Sequence, residues 1–288
     1  MQPVFHFQQG SVPLLISMPH VGTNIPPEVS AQLESVAFDK ADTDWHLPLL
    51  YNMAQDLGAS VIHADYSRYV IDLNRSRDDS NLYPGMDTTG LCPVDTFTKQ
   101  SLYPSGKAPD AAEVQRRIAT YWQPYHDQLQ QEIERLRAQF GTVILWDAHS
   151  IASQVPRFFQ GKLSDLNFGT ADQKSCDPGL QRALMHCLQT SAEAQAYSHI
   201  FNGRFKGGYI TRNYGQPHDG VHAVQLEMSQ CIYMDEPAPY AYRPDLAAQV
   251  QPLLRQLLTT CLEWAQQQSH FELPPQSSTT TSTNMVQS

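Results

Sequence analysis

The chain has 288 residues, 41% of them hydrophobic and only 17% charged, which is enough apolar material for a substantial core in one α/β domain or two. A formal charge of −10 argues against a nucleic-acid partner, while still allowing a local basic pocket for an anionic ligand. Five cysteines (Cys92, Cys176, Cys187, Cys231, Cys261) are odd in number and form no CxxC pair, a pattern of reduced thiols in a cytoplasmic protein and not of a disulfide framework or a thiolate zinc site.

No basic-then-apolar leader opens the sequence and no apolar run approaches membrane-spanning length, so a soluble protein without a membrane partner is expected. Residues 12–18 form an apolar strand that runs into Pro19-His20-Val21-Gly22, placing a histidine at a strand's carboxyl end. Pro26-Pro27 suit a helix start, and 28–36 reads as a short helix. Asp44 opens a clearer one, with Leu47, Leu50, Tyr51, Ala54 and Leu57 at helical spacing and Gly58 as its C-cap. Residues 60–64 and 69–73 are strand-like, the second ending in Asp72-Leu73-Asn74-Arg75. The proline- and glycine-rich stretch 76–110 reads as a functional flap. Residues 110–140 carry the longest helical pattern, with Pro124 kinking or splitting it.

The stretch Thr142 to Ser150 follows directly, and its continuous apolar run fits a strand covered on both faces. It ends in Asp147, Ala148, His149 and Ser150, where open α/β sheets border their ligand crevice, and Asp147 and His149 share one side. Further on, 154–174 reads as loop plus a short strand near residue 167, and 178–188 as a helix capped by Asp177 with proline at its first position. Residues 203–212 carry Arg204, Lys206 and Arg212 around a Gly207-Gly208 turn. Residues 221–228 alternate as a strand that delivers Glu227, with Gln225 and Ser229 read as facing away from it. An amphipathic helix over 245–266 closes the fold. Strands alternating with helices predict an α/β architecture with a mixed, largely parallel sheet in a single domain over 1–268, followed by a disordered Ser/Thr-rich tail over 269–288.

Two histidines at strand ends and an acid at a helix start suggest a metal site built from His20, His149 and a carboxylate, leaving a fourth position for water. Asp44 is the first choice for the carboxylate and Asp42 the second, although either serves equally as a helix cap. Arg75 with Asn74 offers a bidentate clamp for a carboxylate, or Arg75 pairs with Asp72 or Asp78 on a solvated loop. Glu227, on an otherwise apolar strand, either faces outward or transfers protons at the site. Arg68, Arg204 and Arg212 are candidates for binding an anion.

Ser17 to Gly22, Asp42-Thr43-Asp44-Trp45, Ser67 to Arg75, Trp146 to Ser150 and Gln225 to Ser229 together resemble, in order, the motif blocks of the N-formylglutamate amidohydrolase family, a relative of the zinc carboxypeptidases. The resemblance implies a mixed sheet sandwiched between helices, of the phosphorylase/hydrolase-like kind, and hydrolysis of N-formyl-L-glutamate to formate and L-glutamate in histidine degradation. It implies one zinc ion, or another divalent transition metal, on His20, Asp44 and His149. Glu227 would be the general acid/base, Arg68 would steady the oxyanion, and Asn74 and Arg75 would grip the α-carboxylate of a small dianionic substrate. Arg212 is the candidate for the side-chain carboxylate. Carboxypeptidases place an acid three residues after the first histidine; position 23 here is Thr, so the carboxylate ligand comes from further along. A monomer or small homo-oligomer is expected. Other readings are a zinc hydrolase for another N-acyl amino acid or a C-terminal peptide bond, and a non-catalytic binder of acidic amino acids.

Overall fold

A computed structural model describes residues 3–81 and 85–268. The elements in chain order are β1 (Phe5–Gln8), β2 (Leu14–Met18), α1 (Pro27–Ser30), α2 (Leu47–Leu50), β3 (Ser60–Ala64), α3 (Ala111–Arg117), α4 (Gln123–Phe140), β4 (Val143–Ile151), β5 (Leu166–Gly169), α5 (Pro178–Thr190), β6 (His199–Phe201), α6 (Tyr209–Tyr214), β7 (Val221–Ser229) and α7 (Pro244–Gln268). The strands form one sheet in the order β1-β3-β2-β4-β7-β5-β6. Its centre, β3-β2-β4-β7, is parallel, while β1 and β5 run antiparallel to β3 and β7. This is the expected mixed, largely parallel α/β sheet. The tail over 269–288 lies outside the described residues.

Every residue of β4 and β7 is buried, as the unbroken apolar run requires of strands covered on both faces. Alternate residues feed two separate cores. Ile144, Trp146 and Ala148 of β4 and Val224, Leu226 and Met228 of β7 pack toward α5 and α7. Val143 and Leu145 of β4 and Val221 and Ala223 of β7 pack toward α4. Each fully buried Val, Leu, Ile or Met side chain among them stabilises the sheet by about 1.5–3 kcal/mol. On the α4 face the pattern turns polar toward the carboxyl ends: Ser17 on β2, Asp147 and His149 on β4, Gln225 and Glu227 on β7. The site therefore occupies the end of a face whose other end is ordinary core.

The helix expected from Asp44 is broken into α2 and a following short turn, with His46 in the left-handed region at φ 63°. Asp44 caps nothing, because its carboxylate is drawn into the site. Residues 69–73 form tight turns and not a strand: Val70 N–H donates to the Ser67 carbonyl, and Asn74 N–H to Asp72 Oδ1 at 2.9 Å. The long helix expected over 110–140 is split, as Pro124 suggests, by a π-helical turn over Ile118–Trp122 between α3 and α4. Asp110 and Asp177 cap their helices through Glu113 N–H and Gly179 N–H. β1, β6 and α6 were not legible as elements in the sequence. Among the described residues no helix is long and apolar enough to cross a membrane.

Candidate active site

Parallel pairing of β2, β4 and β7 brings three distant segments to one sheet edge. His20 follows β2 by two residues, His149 lies near the end of β4, and Glu227 is its register partner on β7. Asp44 joins them from the loop after α1, held by its own N–H on the His20 carbonyl at 3.1 Å and by Ser150 N–H on its Oδ2 at 3.2 Å. His149 Nδ1 lies 3.0 Å and His20 Nδ1 3.7 Å from Asp44 Oδ2. One potential ligand atom from each of His20, Asp44 and His149 falls within 4.8 Å of the others, and all three residues are buried. Asp42 is not in this group. Its Oδ2 accepts the Phe97 N–H at 2.8 Å.

The outward nitrogens of both rings have carboxylates behind them, a role the sequence reading did not assign. His20 Nε2 donates to Asp72 Oδ1 at 2.7 Å, and His149 Nε2 lies 3.2 Å from Asp147 Oδ1 without an aligned hydrogen bond. Carboxylates in such places fix the orientation of ligand histidines and raise their basicity. Burial opposes charge on His149, but Asp147 and Asp44 outweigh it and hold the ring well above its ordinary range. Burial likewise opposes ionisation of Asp44, and hydrogen bonds from His149 and His20 overcome it and push its carboxyl down. The same carboxylates that hold a proton on His149 also favour a divalent cation beside it. Two imidazoles and one carboxylate, each buried and backed, fit a transition-metal ion with an open coordination position.

Arg68 donates from Nη2 to Asp72 Oδ2 at 2.8 Å and has Nη1 3.7 Å from Asp44 Oδ1. Its buried Nε has no hydrogen-bond partner among the described residues, a donor left over for a ligand. Burial is the main cause of a raised Glu227 carboxyl, pushed up to about 8, with the Asp44 charge adding to it and His149 opposing. Gln225 Nε2 donates to Glu227 Oε2 at 3.2 Å, so Gln225 shares the face of Glu227, contrary to the expectation. A strand period of two puts residues 225 and 227 on one side.

Asn74 is held at several points: Ile210 N–H donates to its Oδ1 at 2.7 Å, and its Nδ2 lies 2.9 Å from His149 Nε2. The flanking carbonyls are gripped too, Leu73 by His126 Nε2 and Arg75 by Trp122 Nε1, each at 2.9 Å. Gly208 must be glycine, since a Cβ there would stand 2.4 Å from Asn74 Nδ2. Arg75 lines the cavity in front of these groups, together with Asn74, Arg68, Phe97, Arg204 and Glu227. The Asp72 and Asp78 carboxylates are bonded to other partners, His20 with Arg68 and Ser76 with Ser80. Arg212, expected to meet a second substrate carboxylate, donates Nε to the Gly207 carbonyl at 2.8 Å and is not among the cavity-lining residues. Arg204 does line the cavity, and its side chain donates to the Phe158 carbonyl at 2.7 Å.

A model of the N-formylglutamate amidohydrolase family matches residues 12–234, which include every motif block quoted above. The chain belongs to the N-formylglutamate amidohydrolase family. It is 52% identical over 267 residues to the N-formylglutamate deformylase of Pseudomonas aeruginosa, covering 93% of this chain and 99% of that one. It is also 52% identical over 264 residues to the N-formylglutamate deformylase of Pseudomonas putida, covering 92% and 97%. Among solved structures, the N-formylglutamate amidohydrolase of Ralstonia eutropha JMP134 superposes with a TM-score of 0.74 at 25% identity, over 91% of this chain and 97% of that one. A gene product of Agrobacterium tumefaciens shares the fold, with a TM-score of 0.68 at 18% identity over 91% and 95%.

Proposed function

We propose that this family member is a metal-dependent deformylase that hydrolyses N-formyl-L-glutamate to formate and L-glutamate, a step in histidine degradation carried out in the cytoplasm by the single domain of residues 1–268. The observation that carries the reading is the buried trio His20, Asp44 and His149, with Glu227 in register beside it. The relatives at 52% identity, both N-formylglutamate deformylases, support the substrate.

Zinc held by His20, Asp44 and His149 would supply Lewis acidity toward the formyl oxygen and toward a water. Glu227 takes a proton from the attacking water as the new C–O bond forms. A carboxyl near neutrality can both accept and return a proton, and Glu227 delivers it to the amide nitrogen as the C–N bond breaks. Arg68, anchored by Asp72, donates to the oxygen that gains negative charge. Asn74, its Oδ1 fixed by Ile210, lines the cavity and with Arg75 grips the α-carboxylate. Arg204 meets the side-chain carboxylate. A small dianion needs a positive pocket only, which is compatible with a chain of net charge −10.

The test is a formate-release assay on the purified protein before and after chelation, with N-acetyl-L-glutamate, N-formyl-L-aspartate and short peptides as comparison substrates. Formate release that chelation abolishes is expected. Faster hydrolysis of peptides, or substrate binding with no turnover, would overturn the assignment.

A further inference from the structure

The cavity holding the candidate site, about 100 Å³, adjoins a larger one of about 680 Å³. Phe97, Ser150 and Ile151 line both. The outer cavity is walled in addition by Val155, Pro156 and Tyr240 and by the charged residues Asp42, Lys99, Arg157 and Glu236, a mixed lining with room for a longer acyl group. Ser150 and Ile151 belong to β4, and Ser150 is tied to Asp44 through its N–H and to Tyr233 through its hydroxyl. Neither is free to differ without disturbing the sheet edge. Phe97 comes from a loop and is only partly buried, so the barrier between the cavities can be changed there.

Phe97 is also held firmly. Its N–H donates to Asp42 Oδ2 at 2.8 Å, its ring packs edge-on against Phe158 at 4.9 Å between centroids, and the Arg68 guanidinium lies over its face at 4.8 Å. Arg68 marks the reacting end of the cavity, whereas Asn74 and Arg75 mark the carboxylate end. Stacked under Arg68, the Phe97 ring stands at the acyl end, while Phe158 against its edge carries Arg204 toward the side-chain carboxylate. A formyl carbon carries only hydrogen on its free side, while an acetyl carbon projects a methyl group.

We propose that Phe97 is a specificity-determining residue for acyl-group size: it closes the inner cavity against the outer one and restricts hydrolysis to the formyl amide. The inference rests on the deformylase reading above and adds to it the residue that sets acyl selectivity. One extra carbon against an apolar wall costs roughly 10- to 200-fold in kcat/KM.

The experiment compares kcat/KM for N-formyl- and N-acetyl-L-glutamate in the metal-loaded wild type, Phe97→Leu and Phe97→Ala. The acetyl-to-formyl ratio should rise by at least about tenfold in Phe97→Ala and by less in Phe97→Leu, in line with the discrimination a single carbon supports. N-propionyl-L-glutamate should become a substrate of Phe97→Ala. A ratio unchanged in both variants overturns the proposal, including the case where both activities fall together, which would make Phe97 only a support for Arg68. Wild type that cleaves the acetyl substrate as fast as the formyl one overturns it as well. Wild type that releases no formate would instead defeat the underlying deformylase reading, so the two failures are separable.

Discussion

Asp72 accepts from His20 Nε2 at 2.7 Å on one oxygen, and its other oxygen accepts from Arg68 at 2.8 Å. One carboxylate thus orients a candidate metal ligand and a candidate oxyanion donor together. It can do so because the turn over 67–75, in place of a strand, points residues 68 and 72 at the same spot. Burial would raise the Asp72 carboxyl, but His20, Arg68 and Arg75 together outweigh it and hold it well below its ordinary range.

Replacing that charge gives the first prediction. Asp72→Asn should weaken divalent-cation affinity by about 10–100-fold, as for other groups behind ligand histidines, and lower turnover as Arg68 loses its anchor. Competition with a chromophoric chelator measures the first effect and formate release the second. Unchanged affinity would remove Asp72 from the support of the site.

Glu227→Gln keeps the shape and the hydrogen bond with Gln225 but removes the proton carrier. Turnover should fall by about 10²–10⁴-fold, while bound metal, by elemental analysis, and substrate affinity, by calorimetry, stay near wild type. Near-normal turnover would dismiss Glu227 as the acid/base.

Much of this arrangement was legible in the sequence because strand periodicity is simple. The run Val143 to Trp146 announced a covered strand, and polar residues at its carboxyl end announced a crevice. That His20, Asp44 and His149 meet was an inference from strand ends, and the β2-β4 pairing brings those ends together. Other features depended on contacts that local pattern does not encode. Asp72 reads as the end of a strand until His20 arrives from 52 residues away and the turn brings Arg68 beside it. Tyr69 to Leu73 has strand-like composition, but the bonds that Asn74 N–H donates to Asp72 Oδ1 and Asp72 N–H donates to the Leu91 carbonyl bend it. Arg204 and Arg212 flank the same glycine turn in sequence, and only their bonds to the Phe158 and Gly207 carbonyls separate the one that lines the cavity from the one that does not. The same-side placement of Gln225 and Glu227 did lie within reach, through the period of two.

Metal removal should silence the protein without unfolding it. His149 and Glu227 stand on strands, and His20 two residues beyond one, and the apolar cores of that sheet lie apart from the site. Chelation should abolish formate release and leave the far-UV circular dichroism intact, with only the lowering of Tm that loss of a native-state ligand brings. Added zinc should restore activity. Loss of the dichroism signal on chelation would mean that the ion is needed to build the fold.

The last prediction concerns acid stability and His126, a buried ring stacked on Trp122 at 3.7 Å between centroids. Burial pushes it down to about 3, so the folded protein excludes a proton that the unfolded chain binds below its ordinary value of 6.5. The stabilisation from this neutral ring is complete above about pH 6.5 and is lost as pH falls toward 3, with a slope of up to ~1.4 kcal/mol per pH unit. His222, lowered by burial to about 4, acts in the same direction. Glu227 and Asp42, both raised by burial, act oppositely, because the folded state keeps their protons as pH rises. The informative quantity is therefore the difference between proteins. In urea titrations from pH 6.5 to 4.5, wild type should lose more stability on acidification than His126→Asn, even though the variant starts less stable for want of the bond to the Leu73 carbonyl. Parallel pH profiles for the two would show that His126 takes up its proton in the folded state as readily as in the unfolded one.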